Sequence, residues 1–370
     1  MFQLEKRGKE KERQMKAFKL QRPTAWLLLL LVFIYVLAYV PTPYAVMQPG
    51  RAAEVHPMIQ VRQGDMQEEG TFMMTTVALD STISVLQLAY SYLNPNLEIT
   101  RKDQVFRPGE SRDQYLERQQ YNMAKSHSNA IMAAYQQAGI SYDVVIEQIR
   151  VNQVVEQFPA DGALESGDQL ISLDGTPVSS LEDITAVMET KEEGDTLRAA
   201  VIRDGKEQTV DIELDYPEGV AEEDKHLLGV DLNFIQNVIP DNPDEEVHIK
   251  VGDIGGPSAG LIFALEIYNQ LTAGDLSKGY RIAGTGEIDA DGTVWPIGGI
   301  QHKIVAADRE KADIFFAPKD WYPEEGSNLQ PVLNYTEAAE KAEDIGTDMK
   351  VVPVGNLQEA LDYLEQLPPK

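Results

Sequence analysis

Cysteine is absent from the 370 residues, which excludes disulfides, thiolate catalysis and thiolate metal sites. Histidine is scarce. His56, His127, His226, His248 and His302 are scattered, with no H-E-x-x-H among them, so the sequence calls for neither a metal nor another cofactor. It also lacks G-x-x-x-x-G-K-[ST], and hence a P-loop for nucleotide hydrolysis. Positive charge is in short supply: 32 Lys and Arg stand against 60 Asp and Glu, a net charge of −28. Such a surface repels phosphate backbones and excludes nucleic acid as a natural partner.

The little positive charge there is gathers at one end. Over residues 1–25, Lys6, Arg7, Lys9, Lys11, Arg13, Lys16, Lys19 and Arg22 outweigh Glu5, Glu10 and Glu12. An unbroken apolar run, A-W-L-L-L-L-L-V-F-I-Y-V-L-A-Y-V, follows from Ala25 to Val40 and continues less strictly to Met47. With its flanks it approaches the ~20 residues needed to cross a bilayer. Trp26 at one end, and Tyr39 and Tyr44 at the other, suit the two interfaces, and the basic flank favours a cytoplasmic N-terminus. The expectation is a cytoplasmic tail over 1–24 and a single-pass signal-anchor helix over 25–46, with the rest outside the cell. A cleaved signal peptide is the competing reading, against which stand the length of the run and the absence of a clear A-x-A site.

Beyond the run, 43% hydrophobic content is ample for folded cores, and 370 residues allow two or three domains. Residues 47–139 are mixed. Thr71–Val77 has strand character, Leu79–Tyr92 and Glu117–Gln137 read as helices, and Ser126 and His127 fit a polar helix face. Next, Ala160–Gly175 joins a turn, a strand and a second turn. Leu181–Met188 suggests a helix, and Leu197–Leu214 a hairpin about Asp204-Gly205. Pro217–Lys225 is an acidic connector. Short strands and helices then alternate to the end, giving a mixed α/β domain.

Two residues stand out in that last part. Val247, Ile249 and Val251 alternate as a half-buried strand, Gly252, Gly255 and Gly256 break it, and a helix runs from Leu261 to Leu271. Ser258 thus lies where a glycine turn meets a helix N-terminus, and the backbone at Gly256, Pro257, Ser258 and Ala259 is a candidate oxyanion site. A serine hydroxyl needs a base. Lys303 follows the turn Pro296–Gly299 in a segment apolar enough (Ile300, Ile304, Val305) to strip its amine of water and pull its pKa toward neutrality. Singly, Ser258 also reads as a helix cap and Lys303 as a snorkelling surface lysine. Gly256–Gly260 matches G-x-S-x-G as well, the elbow of a Ser-His-Asp hydrolase, for which His302 and one of Asp275, Asp289 or Asp291 would be needed.

Taken together, G-G-P-S-A-G, T-G-E-I and P-I-G-G-I-x-x-K-x-x-A-A resemble the proteolytic domain of the Lon proteases, which use a Ser–Lys dyad. The resemblance implies Ser258 as nucleophile, Lys303 as general base and Thr285 as the hydroxyl that orients the lysine amine. Lon enzymes often carry an acid three positions before the serine. Here that position is Gly255, and Asp253 lies two residues further off. Residues 140–216 resemble a PDZ domain, through A-x-x-x-L-x-x-G-D-x-L/I-x-x-x-D-G, although no clear G-L-G-F-like loop is visible. A PDZ domain implies capture of an extended peptide at a sheet edge, or it serves only as a spacer.

The combination of anchor, PDZ and Lon-type domain resembles the YlbL-like (SepM-type) family of membrane-anchored proteases. That implies an α+β chain. Residues 217–370 form a Lon-type domain (mixed α/β, ribosomal-protein-S5-domain-2-like) to which 47–139 contribute strands, and the PDZ domain is a small, partly open β-barrel with helices. It further implies an ATP-independent serine endopeptidase acting on peptides and unstructured segments of secreted or membrane-proximal proteins, and homo-oligomers as an option. A membrane-tethered peptide-binding scaffold without catalysis is the alternative from another class.

Overall fold

The computed structural model describes residues 26–64, 69–221, 226–252, 254–324, 326–327 and 329–370. The basic tail over 1–24, Asp253 and the end of the acidic connector lie outside the described residues. The chain divides into two compact units, 1–49 with 78–108, and 50–77 with 109–370.

In the first unit a helix, α1, covers 26–39, and β1 begins at Tyr44 and runs to Glu54. The first part of β1 pairs antiparallel with β4 (Glu98–Arg101) from Tyr44↔Arg101 to Met47↔Glu98. Between them in sequence lies α2 (Val85–Leu93), closed at its start by a capping box from Ser84 and Gln87. The expected helix over 25–46 is therefore corrected at its end. Pro41 and Pro43 each lack an N–H and push the preceding residue out of the α region, and Ala45 and Val46 are buried strand residues. Among the described residues no helix is long and apolar enough to cross a membrane.

The second unit holds a sheet in the order β16-β15-β12-β3-β1. β3 (Thr71–Asp80), β12 (Arg281–Gly284), β15 (Ile314–Pro318) and β16 (Lys350–Val354) are mutually parallel. Period-two alternation decides what each face buries. Phe72, Met74, Ile282 and Phe316 point into one core with α3 (Arg112–Ala138), α5 (Gly260–Leu271) and α8 (Leu357–Glu365). Met73, Ala283, Phe315 and Ala317 point into another with α6 (Ile300–Arg309) and α7 (Asn334–Ile345). Both faces are covered, which is why T-F-M-M and I-F-F-A read as continuous apolar runs. Gly284 has no side chain because a Cβ there would come within 2.8 Å of Ile262 on α5. That absence lets the helix lie close on the sheet.

A second sheet runs β10-β5-β6-β8-β9, with β7 (Thr176–Pro177) beside β6. Its strands are β5 (Tyr142–Val154), β6 (Gln169–Leu173), β8 (Thr196–Arg203), β9 (Lys206–Glu213) and β10 (Val230–Pro240), and α4 (Leu181–Met188) packs into the same core. The β8–β9 hairpin turns at Asp204-Gly205, with φ of 52° and 72°, the left-handed pair of a type I′ turn. The sheet extends past the sequence boundary at 216. β10, beyond the connector, pairs with the length of β5 from Val230↔Val154 to Pro240↔Tyr142. Elsewhere β11 (Val247–Ile249) pairs with β2 (Ile59–Val61), and β13 (Glu287–Ile288) with β14 (Val294–Trp295).

Asn334 fixes the turn that launches α6. Its amide nitrogen donates to the Ile297 carbonyl at 2.9 Å and its amide oxygen accepts from the Ile297 N–H at 2.8 Å, both buried. Asn334→Ala would strand both backbone groups, and a stranded buried group costs roughly 1–3 kcal/mol. Urea denaturation is expected to show a loss of about 2 kcal/mol or more; a change within error would mean that the turn holds without this clamp.

Candidate active site

Ser258 sits in a single 3-10 turn, Pro257–Ala259, between Gly256 and the first residue of α5. Gly256 has φ 95°, a conformation that favours glycine. Proline follows naturally at the start of the turn, where a missing N–H costs nothing. The turn is held from three sides. The Gly256 amide donates to the Gln119 carbonyl of α3 at 2.8 Å, and the Ser126 hydroxyl donates to the Pro257 carbonyl at 2.9 Å. The Ser258 carbonyl accepts from both the Gly286 amide and the Thr285 hydroxyl, each at 2.8 Å.

Lys303 comes from the other face of the sheet. It lies in the first turn of α6, and its side chain ends where the parallel strands give out. The Nζ atom donates to the Ser258 hydroxyl oxygen at 2.8 Å and to the Thr75 carbonyl of β3 at 2.9 Å. Only 3% of the residue is exposed, and burial alone pulls the amine from its usual range down to about 7. A large fraction of it is thus neutral at physiological pH, with a lone pair beside a serine hydroxyl. That arrangement can deprotonate the hydroxyl and return the proton to a leaving group. Crevices outside the carboxyl ends of parallel strands are where α/β sheets place their chemistry.

Several expectations change in detail. Thr285, fully buried, spends its hydroxyl proton on the Ser258 carbonyl. It therefore steadies the Ser258 backbone, and the Thr75 carbonyl accepts from the amine. Of the four backbone positions expected around an oxyanion, Gly256 donates to Gln119 and Pro257 has no N–H, which leaves the amides of Ser258 and Ala259. On α6, His302 is turned about 100° from Lys303. It lies against Gly299, and lysine is the residue that meets Ser258, which removes the main support for a Ser-His-Asp elbow. Position 255 has a steric reason for glycine: a Cβ would stand 2.8 Å from the Gln119 Cβ and 3.1 Å from its backbone carbon.

Ser126 and His127 do not lie on a polar helix face. Ser126 is buried against the nucleophile turn, and His127 packs edge-on against Phe263 at 5.2 Å, where burial lowers its pKa to about 4. That α3 walls the site is not legible in the sequence, because its register against Pro257 depends on long-range packing that no local pattern encodes. A cavity of about 260 Å³ opens beside the turn, with Asn122, Ser126 and Asn129 of α3, Asn233 of β10, Pro257 and Glu287 among its lining. Burial raises the Glu287 carboxyl above the usual range.

With this geometry in view, comparisons with known proteins fit the two parts of the chain. Residues 234–364 match the Lon protease (S16) C-terminal proteolytic domain, and residues 129–214 match a PDZ domain. Lon protease of Mesomycoplasma hyopneumoniae is 26% identical over 60% of this chain and 23% of its own length. Lon protease 1 of Syntrophobacter fumaroxidans is 40% identical over 25% and 11%, and Lon protease of Vibrio parahaemolyticus 30% identical over 36% and 15%. The chain thus spans less than a quarter of the length of these relatives. A crystal structure of the PDZ domain of an SdrC-like protein from Listeria monocytogenes aligns at 24% identity over 23% of this chain and 85% of that one, with a TM-score of 0.21. The chain carries a serine-protease domain of the Lon type and a PDZ domain.

The amine sets a pH dependence. Only its neutral form accepts a proton, so kcat/KM is expected to fall about tenfold per pH unit below about 7 and to level off above it. A profile flat between pH 5 and 8 would remove Lys303 from the role of base. Lys303→Met replaces a buried amine by an apolar chain of similar length. It is expected to abolish activity and raise the melting temperature, more so below pH 7, where the folded state must otherwise bury a charged ammonium.

Proposed function

We propose that the chain is a membrane-anchored, ATP-independent serine endopeptidase that cuts peptides and unstructured segments outside the cell or next to the membrane. The observation that carries the reading is the 2.8 Å hydrogen bond from a dry lysine amine to the Ser258 hydroxyl. In this mechanism Ser258 Oγ attacks the scissile carbonyl as Lys303 Nζ takes its proton. The amides of Ser258 and Ala259 hold the oxyanion. The tetrahedral adduct collapses, Nζ protonates the departing amine, and an acyl-serine remains. Water then attacks that ester with Lys303 again as base, releasing the second product and restoring the hydroxyl. The Thr75 carbonyl accepts from the amine at 2.9 Å, which orients its lone pair toward Oγ and steadies the transient ammonium.

The finer parts of the reading rest on other features. The basic tail and the uncharged stretch between Arg22 and Arg51 support a single-pass anchor with a cytoplasmic N-terminus. The 370 residues hold no P-loop, so no motor in this chain unfolds substrates, and peptides and unfolded segments are the natural class. Recruitment falls to the PDZ sheet, where β10 is an edge strand on which a peptide can be added. Asp231, Leu232 and Asn233 of that strand line the cavity beside Pro257, so recruitment and cleavage share one wall. In domain terms, 1–24 is the tail, the PDZ domain begins near 140, and the proteolytic domain fills the rest to 370 with β3 as one of its strands.

Cleavage of an unstructured peptide without nucleotide, read by mass spectrometry, tests the mechanism. Ser258→Ala and Lys303→Ala are each expected to lower kcat/KM by at least about a thousandfold, whereas His302→Ala is not. Cleavage that survives either of the first two changes would refute the dyad. Cleavage seen only with ATP and a separate partner would refute the independence from a motor.

A further inference from the structure

We infer that α2 is a second membrane-contacting element, lying in the headgroup region of the bilayer at the exit of α1. The inference rests on the anchor reading above. The chain leaving α1 is fastened to the start of α2: the Thr42 amide and hydroxyl both donate to the Ile83 carbonyl, at 2.8 and 3.0 Å. Pro41 forms a bridge with Ser84, the residue that caps α2. Bridged strands lie about 5 Å apart. The N-terminus of α2 is thus fixed close to the point where α1 ends, and the end of a spanning helix lies at the membrane surface.

The composition of α2 suits that place and no aqueous one. V-L-Q-L-A-Y-S-Y-L contains no charged residue, and it is inside out. The buried position is Ser91, whose hydroxyl donates to the Gln87 carbonyl at 2.9 Å. Leu86, Tyr90 and Leu93, spaced to share one face, are exposed, and Tyr92 and Leu93 are 83% and 81% exposed. A water-facing helix of a soluble protein shows the opposite pattern. At nine residues, about 13 Å, α2 is too short to span and long enough to lie along the interface with its apolar face in the acyl boundary. Tyrosine marks the same level in the rest of the unit: Tyr35 and Tyr39 stack at 5.0 Å near the end of α1, and Tyr44 follows. Aromatic rings with one polar tip collect at that depth. The occupant of this surface is therefore lipid.

Because the chain has no cysteine, a single introduced one is a unique probe. Full-length protein carrying Leu86→Cys, Leu93→Cys, Val32→Cys on α1 or Glu207→Cys on the PDZ hairpin would be labelled with an environment-sensitive fluorophore. Each variant would be reconstituted in phosphatidylethanolamine–phosphatidylglycerol vesicles. The expected result is blue-shifted emission at 86, 93 and 32, quenched by nitroxide on the acyl chains and not by aqueous iodide, with the reverse at 207. Iodide quenching at 86 and 93 while 32 stays in lipid would overturn the α2 contact and leave the anchor standing. Iodide quenching at 32 would overturn the anchor reading and this inference with it. Labels at 86 and 93 shielded from both quenchers would assign the face to a protein neighbour, also against the proposal.

Discussion

A single buried contact organises the catalytic half of this protein: the Lys303 amine against the Ser258 hydroxyl, at 2.8 Å. A lysine is a base near neutral pH only when water is kept from its ammonium form. Exclusion needs walls on every side, and the fold supplies them from elements far apart in sequence. α5 brings the serine from one face of the sheet and α6 the lysine from the other. β3 offers the Thr75 carbonyl at the seam, and Thr285, just after β12, holds the Ser258 backbone through its carbonyl. The small residues near the seam follow from that crowding. At Gly284 a Cβ would strike Ile262, and at Gly260 it would strike Ile288 and Ser126.

α3 is the other constraint. Its 27 residues, capped by Ser111 and Gln114 and ended at Gly139 with φ 70°, reach about 40 Å. On the way it touches the PDZ sheet, where Arg150 lies over the Tyr121 ring at 4.8 Å. It also touches the nucleophile turn, through Gln119 and Ser126, and the Ile288 carbonyl, through Asn129 at 2.9 Å. A carboxylate at position 255 has no room beside this helix. The PDZ sheet becomes part of the same wall.

What could be read from the sequence follows from how local each feature is. Ser258 and Lys303 were legible because glycine turns, helix starts and apolar surroundings are short-range patterns. The strand character of Thr71–Val77 is legible because a buried parallel strand carries an unbroken apolar run. Thr75 was not, since a carbonyl acceptor leaves no trace in side-chain identity. The donation from Thr285 to the Ser258 carbonyl is not legible, because a hydroxyl's choice of acceptor shows only in three dimensions. β10 was missed since its partner β5 lies some 80 residues earlier, and strand pairing over that distance has no sequence period. The apolar run after residue 25 was plain, but its end was not; two prolines and a buried strand start stop the helix sooner than hydropathy does.

The active helix carries a further cost that clarifies how the site is tuned. Glu266 on α5 is fully buried. Its Oε1 meets Gln270 and His56, while its Oε2 has no partner, and burial raises the carboxyl to about 7. Its penalty is absent below the unfolded value of about 4.5, grows as pH rises, and is complete above about 7. The lysine behaves in the opposite sense. Its penalty is complete below about 7 and fades toward its unfolded value of 10.5. The glutamate penalty reaches its plateau where the lysine penalty begins to fade, so the folded state bears the largest combined burden near pH 7. Net stability of a domain is only about 5–15 kcal/mol, and two such groups are tolerable only in a core as continuous as the one on both faces of this sheet. The unbroken apolar packing of α5 and α6 is thus the condition under which a neutral lysine can be kept beside a serine at all.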